Sequence, residues 1–205
     1  MNKEIKNNIV IHISGPSGVG KTTLGNKLKE KFGNKIVVKD LDDLRFEFVK
    51  DKYGSYKKVW STKDFVWDKK GYQKWIDDYI HSQTKPLIFV GLNHMPWWNK
   101  KLYYKMHSDH DFYIKVSDEE IFKRKCSRFL NDVFVNHRDD TIKDILEKEK
   151  KTISELQSGL KHECGFKEMI KMNKIWNREY KKQGYKFKNN DDIFKDVSKI
   201  LKKSL

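Results

Sequence analysis

The stretch Gly15-Pro16-Ser17-Gly18-Val19-Gly20-Lys21-Thr22 satisfies every fixed position of the pattern G-x-x-x-x-G-K-[ST], in which a glycine-rich turn curls its backbone around phosphate. Ahead of it, Ile9-Val10-Ile11-His12-Ile13-Ser14 is an apolar run of strand character. Behind it, Leu24, Leu28 and Phe32 recur at helical spacing. Strand, loop and helix arrive in the order the chemistry needs, because successive loop N–H groups and the positive end of the following helix then face one polyanion. The residues expected to bind nucleotide are Gly15, Pro16, Ser17, Gly18, Val19, Gly20, Lys21, Thr22 and Thr23. Lys21 is expected to reach the β and γ phosphates, and the Thr22 hydroxyl to ligate Mg²⁺.

Working outward, segment 35–39 reads as a second strand running into Asp40-Leu41-Asp42-Asp43-Leu44-Arg45. Ligands of open α/β sheets gather beyond the carboxyl ends of the strands, so these acids are expected to face the loop. A carboxylate there, Asp42 foremost, can take the proton of an attacking hydroxyl, and Arg45 can hold the acceptor or stabilise charge. The alternative is that Asp42 only caps a helix beginning at Asp43 or Leu44, but with the phosphate loop upstream the functional reading is favoured.

Segment 53–80 is rich in aromatics, and Tyr72, Trp75, Ile76, Tyr79 and Ile80 follow the pattern of a helix packed on the sheet. Trp60 and Trp67 are interleaved with Lys57, Lys58, Lys63, Lys69 and Lys70. That mixture either stacks a base and neutralises phosphate or belongs to the fold. Segment 86–93 reads as a buried central strand, with no acid at Gly91 or Leu92 where a Walker B strand carries one. Mg²⁺ would then rest on Thr22, the phosphates, water and Asp40 or Asp42. Asn93 is a candidate for positioning substrate or phosphate.

Segment 96–106 has a helix-like run of aromatics, and His107-Ser108-Asp109-His110-Asp111 is expected in a loop before a strand at 112–116. Ser117 and Glu120 form a capping-box signature for the next helix. In that helix Arg124 and Arg128, with Lys123 and Lys125, stand where lid arginines meet a transferring phosphate, or where cations simply suit a helix C-terminus. The charged, mostly helical segment 129–182 is the expected lid. Residues 184–188 read as an edge or last parallel strand, and Asn189-Asn190-Asp191-Asp192 caps a C-terminal helix with Ile193, Phe194, Val197, Ile200 and Leu201 on one face.

A chain of 205 residues fits one domain, here taken as residues 1–205. The formal charge of +15, from 44 Lys and Arg against 29 Asp and Glu, favours anionic partners. Most of the excess is Lys, alongside plentiful Ile and Asn, so a biased coding composition explains it as well. Cys126 and Cys164 have no metal or redox spacing, which fits a reduced intracellular protein. With no signal core and no apolar run of membrane-spanning length, the chain is expected to be cytoplasmic and away from membranes.

These elements resemble the P-loop kinase superfamily of nucleoside-monophosphate-kinase-like folds over nearly the whole chain. The implied fold is an α/β three-layer sandwich, with a mostly parallel sheet of about five strands, helices on both faces and a helical lid. The loop Ser14-Gly15-Pro16-Ser17-Gly18-Val19-Gly20-Lys21-Thr22-Thr23-Leu24 is similar to that of guanylate kinases, but no Ser-Arg or Arg-Pro-Gly substrate segment follows. Asp42-Asp43-Leu44-Arg45 is similar to the Asp-Asp-x-x-Arg element of polynucleotide kinases in a compact form. That resemblance implies Asp42 as general base, Arg45 as acceptor or phosphate ligand, and Arg124 and Arg128 as lid arginines. Asn93 matches the family's Asp-x-Asn element, whereas Gly91 stands in place of its acid. Gluconate and shikimate kinases share the arrangement.

The expected function is transfer of the ATP γ-phosphate to a hydroxyl of a nucleoside, a nucleic-acid 5′ end or another small molecule, with ATP and Mg²⁺ as cofactors. No guanine-reading element is present. A nucleoside monophosphate kinase and a nucleotide-regulated nucleic-acid-binding ATPase are the alternatives.

Overall fold

The computed structural model describes residues 8–55, 67–95, 102–131 and 165–205, together with isolated positions between 144 and 161. The chain groups into two compact units. Residues 1–15, 20–115 and 180–205 form the first, and 16–19 with 116–179 form the second.

The first unit is built on five strands: β1 (Val10–Ser14), β2 (Val37–Asp40), β3 (Leu87–Val90), β6 (His110–Ile114) and β7 (Lys186–Lys188). Their order across the sheet is β2-β3-β1-β6-β7. Every pairing is parallel, and β1 is bonded on both edges, to β3 and to β6. Parallel neighbours need crossover connections, and the helices that supply them cover both faces of the sheet. The register sets Asp40 against Val90 and Val90 against Ile13, so the carboxyl ends of β2, β3 and β1 lie level.

Alternation along the strands sorts the two faces. Ile11, Ile13, Ile88 and Val90 point toward α1 (Lys21–Phe32), which contributes Leu24 and Leu28. Gly25 lets α1 sit close, since a β-carbon there would lie 3.0 Å from Val38 Cγ1 and 3.3 Å from Val90 Cγ1. Helix α6 (Asn190–Ser204) packs beside α1, burying Ile193, Val197 and Leu201. On the opposite face Val10, Leu87 and Phe89 meet α2 (Leu41–Tyr53) and α3 (Lys69–Ser82) through Leu44, Phe48, Tyr72, Ile76 and Ile80. The result is the expected α/β sandwich with a five-stranded parallel sheet and helices on both sides.

Several local expectations are corrected. Leu102–Tyr103 is a strand, β5, paired antiparallel with His94–Met95, β4, rather than part of a helix. Buried Tyr104, exposed Lys105 and buried Met106 continue a period of two, which outweighs the helical reading of the aromatics. His110 and Asp111 open strand β6 instead of lying in a loop. Around them, Asp109 accepts the backbone N–H of Val10 at 2.7 Å, Ser108 donates to Asp111 at 2.5 Å, and His107 Nδ1 lies 2.9 Å from Asp77.

The second unit contains α4 (Asp118–Leu130), capped by Ser117, whose Oγ accepts the Glu120 N–H at 3.2 Å. It also holds most of α5 (Phe166–Lys182). Within it Asn173 donates to Asp118 at 2.7 Å, and the rings of Phe122 and Phe166 meet edge to face. Much of the expected lid segment, like Trp60, Lys57, Lys58, Lys63 and Cys164, lies outside the described residues. Among the described residues no helix is long and apolar enough to cross a membrane.

Candidate functional site

Helix α1 begins differently from its neighbours. Asp40 caps α2, Asp68 caps α3, Ser117 caps α4 and Asn189 caps α6, each accepting an N–H of the first turn through a side-chain oxygen. Gly20 at the head of α1 offers no side chain, and the first turn of α1 holds no acid. With no side-chain cap and no acid in the turn, this positive helix end suits a bound anion. Gly15 and Gly20 adopt φ of 152° and 95°, conformations in which a β-carbon is strained. Lys21 opens the helix, and its Nζ donates to the Gly15 carbonyl at 2.8 Å, folding the ammonium back over the turn. Thr22 and Thr23 are exposed in the same turn. An uncapped positive helix end, a lysine and exposed hydroxyls suit a polyphosphate with its hard cation.

Beyond β2, the acids divide their work in a way the sequence did not predict. Asp40 caps α2, its Oδ1 accepting the Asp42 N–H at 2.9 Å, so the helix starts at Leu41 and Asp42 is not its cap. Burial raises the Asp40 carboxyl above its usual range, against the lowering pull of that hydrogen bond and of the Lys21 charge. The Asp42 carboxylate is half exposed and accepts a short hydrogen bond from Arg45 Nη2. Arg45 itself is buried, so its guanidinium is held as a fixed donor rather than a waving side chain. The structure thus brings Lys21, Asp40, Asp42 and Arg45 into one unit.

The absent acid at position 91 has a steric cause. Gly91 has φ of 141°, and a β-carbon there would lie 2.8 Å from Leu41 Cβ, so no Asp fits beneath the start of α2. The Gly91 carbonyl instead accepts from His12 Nε2 at 3.0 Å, while His12 Nδ1 accepts from the Tyr185 hydroxyl at 2.5 Å. Complete burial, outweighing the Gly91 bond, lowers the His12 pKa to about 4, with the Lys21 charge acting in the same direction. The imidazole is therefore neutral. The signal for it in sequence was the one polar residue inside an otherwise apolar strand.

Asn93, expected near substrate, is buried and turned inward. Its backbone N–H donates to Tyr180 Oη at 3.1 Å, and its Nδ2 donates to the Tyr104 carbonyl at 3.2 Å and to Gln183 at 3.4 Å. It is a latch between the segment after β3 and the end of α5. Trp67 is likewise core: it is buried among Phe48, Tyr72 and Tyr53, with ring centroids 5.3–6.3 Å apart, so it is no platform for a base.

In the second unit, Pro16–Val19 continue the loop, with Ser17 exposed and Val19 buried. Gly18 has φ of 87°, and a β-carbon there would stand 3.3 Å from Lys125 Cγ. Arg124 donates through Nη1 to the Val19 carbonyl at 3.3 Å and through Nε to Glu120 at 2.8 Å. Glu120 is thereby used against Arg124 rather than completing the capping box. Arg128 lies one turn further along the same exposed face of α4.

No family model and no curated protein matches the sequence. Among solved structures, shikimate kinase from Bacteroides thetaiotaomicron is similar at 16% identity, covering 75% of this chain and 95% of that one, with a TM-score of 0.37. TT1252 from Thermus thermophilus is similar at 18% identity over 74% of this chain and 84% of that one, also at 0.37. APE1195 is similar at 19% identity over 59% and 68%, at 0.34. Likenesses this loose transfer no residue roles.

Proposed function

We propose that the protein is a kinase that moves the γ-phosphoryl group of ATP to a hydroxyl. The observation that carries this reading is the uncapped head of α1, with Lys21 folded over Gly15, in the same unit as a strand-end pair of acids and a buried arginine. The Thr22 hydroxyl and the Asp40 carboxylate are hard oxygen donors that would hold Mg²⁺, whose chemistry would be to neutralise phosphate charge. Lys21 and the backbone N–H groups of the loop hold the phosphates and stabilise charge as it shifts. Asp42 accepts the proton of the acceptor hydroxyl, and Arg45 keeps that carboxylate aimed. Arg124 and Arg128 are assigned to phosphate contact during transfer, on the chemistry of guanidinium and the family resemblance.

The acids favour a neutral hydroxyl over an anionic acceptor. Asp40, Asp42 and Asp43 crowd the head of α2, where a monophosphate would meet like charge. Nucleosides and 5′-hydroxyl ends are accordingly placed ahead of nucleotides. Incubation with γ-labelled ATP and a panel of nucleosides, nucleotides, 5′-hydroxyl oligonucleotides and polyols tests the proposal. Label in an acceptor is the expected result, and ATP hydrolysis that no acceptor intercepts would overturn it.

A further inference from the structure

The positive charge of the first unit is gathered on one side of its sheet. Helices α1 and α6, with the single 3-10 turn Gly33–Lys35 that follows α1, carry nine lysines against four acids. Helices α2 and α3, on the opposite face, carry six basic and six acidic residues. A composition bias alone would load both faces alike. Setting aside Lys21, the eight lysines 27, 29, 31, 35, 195, 199, 202 and 203 are all exposed, and none is paired with a carboxylate among the described residues. Two of the four acids are engaged elsewhere. Asp196 accepts from Lys188 at 2.6 Å, and Asp192 accepts from the Asn189 side chain at 2.8 Å.

The arrangement is ordered as well as charged. Lys27 and Lys31 lie a turn apart along α1, with Lys35 in the 3-10 turn that follows, while Lys195, Lys199 and Lys202 follow one another along α6, a spacing of about 6 Å per four residues within a helix. The helices meet side by side, and Lys31 crosses the seam to donate to Ser198 Oγ at 3.1 Å, its ammonium 4.7 Å from the centre of the Phe194 ring. Leu24, Leu28, Ile193, Val197 and Leu201 are turned into the core, and Ile200 and Phe194 are half-buried, so the exposed face of the two helices is polar rather than the wide apolar stripe that enters a lipid layer. Two neighbouring rows of ammonium groups, none held by a carboxylate among the described residues, match a repeating phosphate chain.

We propose that the α1–α6 face binds the phosphate backbone of a nucleic acid, independently of sequence and independently of the loop at Lys21. The face is distinct from the aromatic segment 53–80, where Trp67 is core. The proposal does not rest on the kinase reading.

The test measures anisotropy of a fluorescein-labelled oligodeoxythymidylate and of a labelled duplex across a range of salt. Log affinity should fall linearly with log salt. A triple variant, Lys27→Glu with Lys199→Glu and Lys202→Glu, should flatten the single-strand slope by about 2, at roughly 0.7 for each lost contact. A control of equal charge change on the opposite face, Lys50→Glu with Lys69→Glu and Lys70→Glu, should leave the slope as in the wild type. The Gln versions of the first three positions guard against misfolding and must flatten the slope too. Lys21→Ala should bind oligonucleotide like the wild type whether or not the protein is a kinase. Equal losses in the face and control variants, no binding by the wild type, or binding to phosphatidylserine vesicles without binding to either oligonucleotide would overturn the proposal.

Discussion

Asp40 Oδ1 accepts the backbone N–H of Asp42 at 2.9 Å, so the residue that closes β2 also starts α2 and frees the Asp42 carboxylate for Arg45. Capping and proton transfer are thereby assigned to different side chains. Asp40→Ala should cost about 1 kcal/mol of stability, the usual loss of an N-cap. Asp42→Asn should keep the melting temperature within the small change expected of a half-exposed ion pair, yet lose turnover, because the amide cannot accept the proton. Thermal melts and turnover of both variants check this, and a normal rate in Asp42→Asn removes that residue from the role of base.

Lys21→Ala should lower phosphoryl transfer by about a hundredfold or more while leaving the fold intact. In the structure its ammonium bonds the Gly15 carbonyl rather than filling core space. Steady-state rates with circular dichroism as a folding control give the answer.

His12 makes stability depend on pH in a calculable direction. The native protein keeps the imidazole neutral down to about pH 4, whereas the unfolded chain takes up the proton near 6.5. Between those values the unfolded state binds more protons, so the contribution is complete above 6.5 and is lost as pH falls to 4. Its full swing is about 3 kcal/mol. Urea unfolding of the wild type and His12→Gln should show their difference shrinking by about that amount from pH 7 to pH 4.

Trp67→Ala should destabilise the protein by about 3–5 kcal/mol, the range for truncating a buried aromatic. Chemical unfolding measures it. An unchanged midpoint would return Trp67 to the surface and to ligand stacking.

Gly91→Ala should cost about 1–3 kcal/mol, from overpacking against Leu41 added to a strained φ. Gly91→Asp should fare no better, although it restores the acid of a Walker B strand. A rise in activity or stability in Gly91→Asp would show that the start of α2 can yield.

The layer order of the fold was legible because periodicity and a full eight-residue motif say the same thing from Ile9 to Phe32. The caps Ser117 and Asn189 were legible for a similar reason, as local side-chain bonds depend on residues three apart. What escaped was decided by neighbours distant in sequence. Position 91 is glycine because Leu41 presses on it, and Asn93 turned inward because Tyr104, Tyr180 and Gln183 offered it partners. The cap falls at Asp40, two residues before the position at which the sequence offered one as an alternative, the distance over which helix starts are hardest to place.

Strand β1 is the middle of the five and is bonded along both edges, so its backbone amides should reach solvent only when the sheet itself opens. The loop at Gly15 grows directly from it. In hydrogen-exchange terms, Ile11–Ile13 should be among the slowest amides of the chain and the loop a few residues later among the faster. A nucleotide arriving at that loop would protect the loop amides without having to firm up their anchor, and its ordering effect would fall on the last few residues alone.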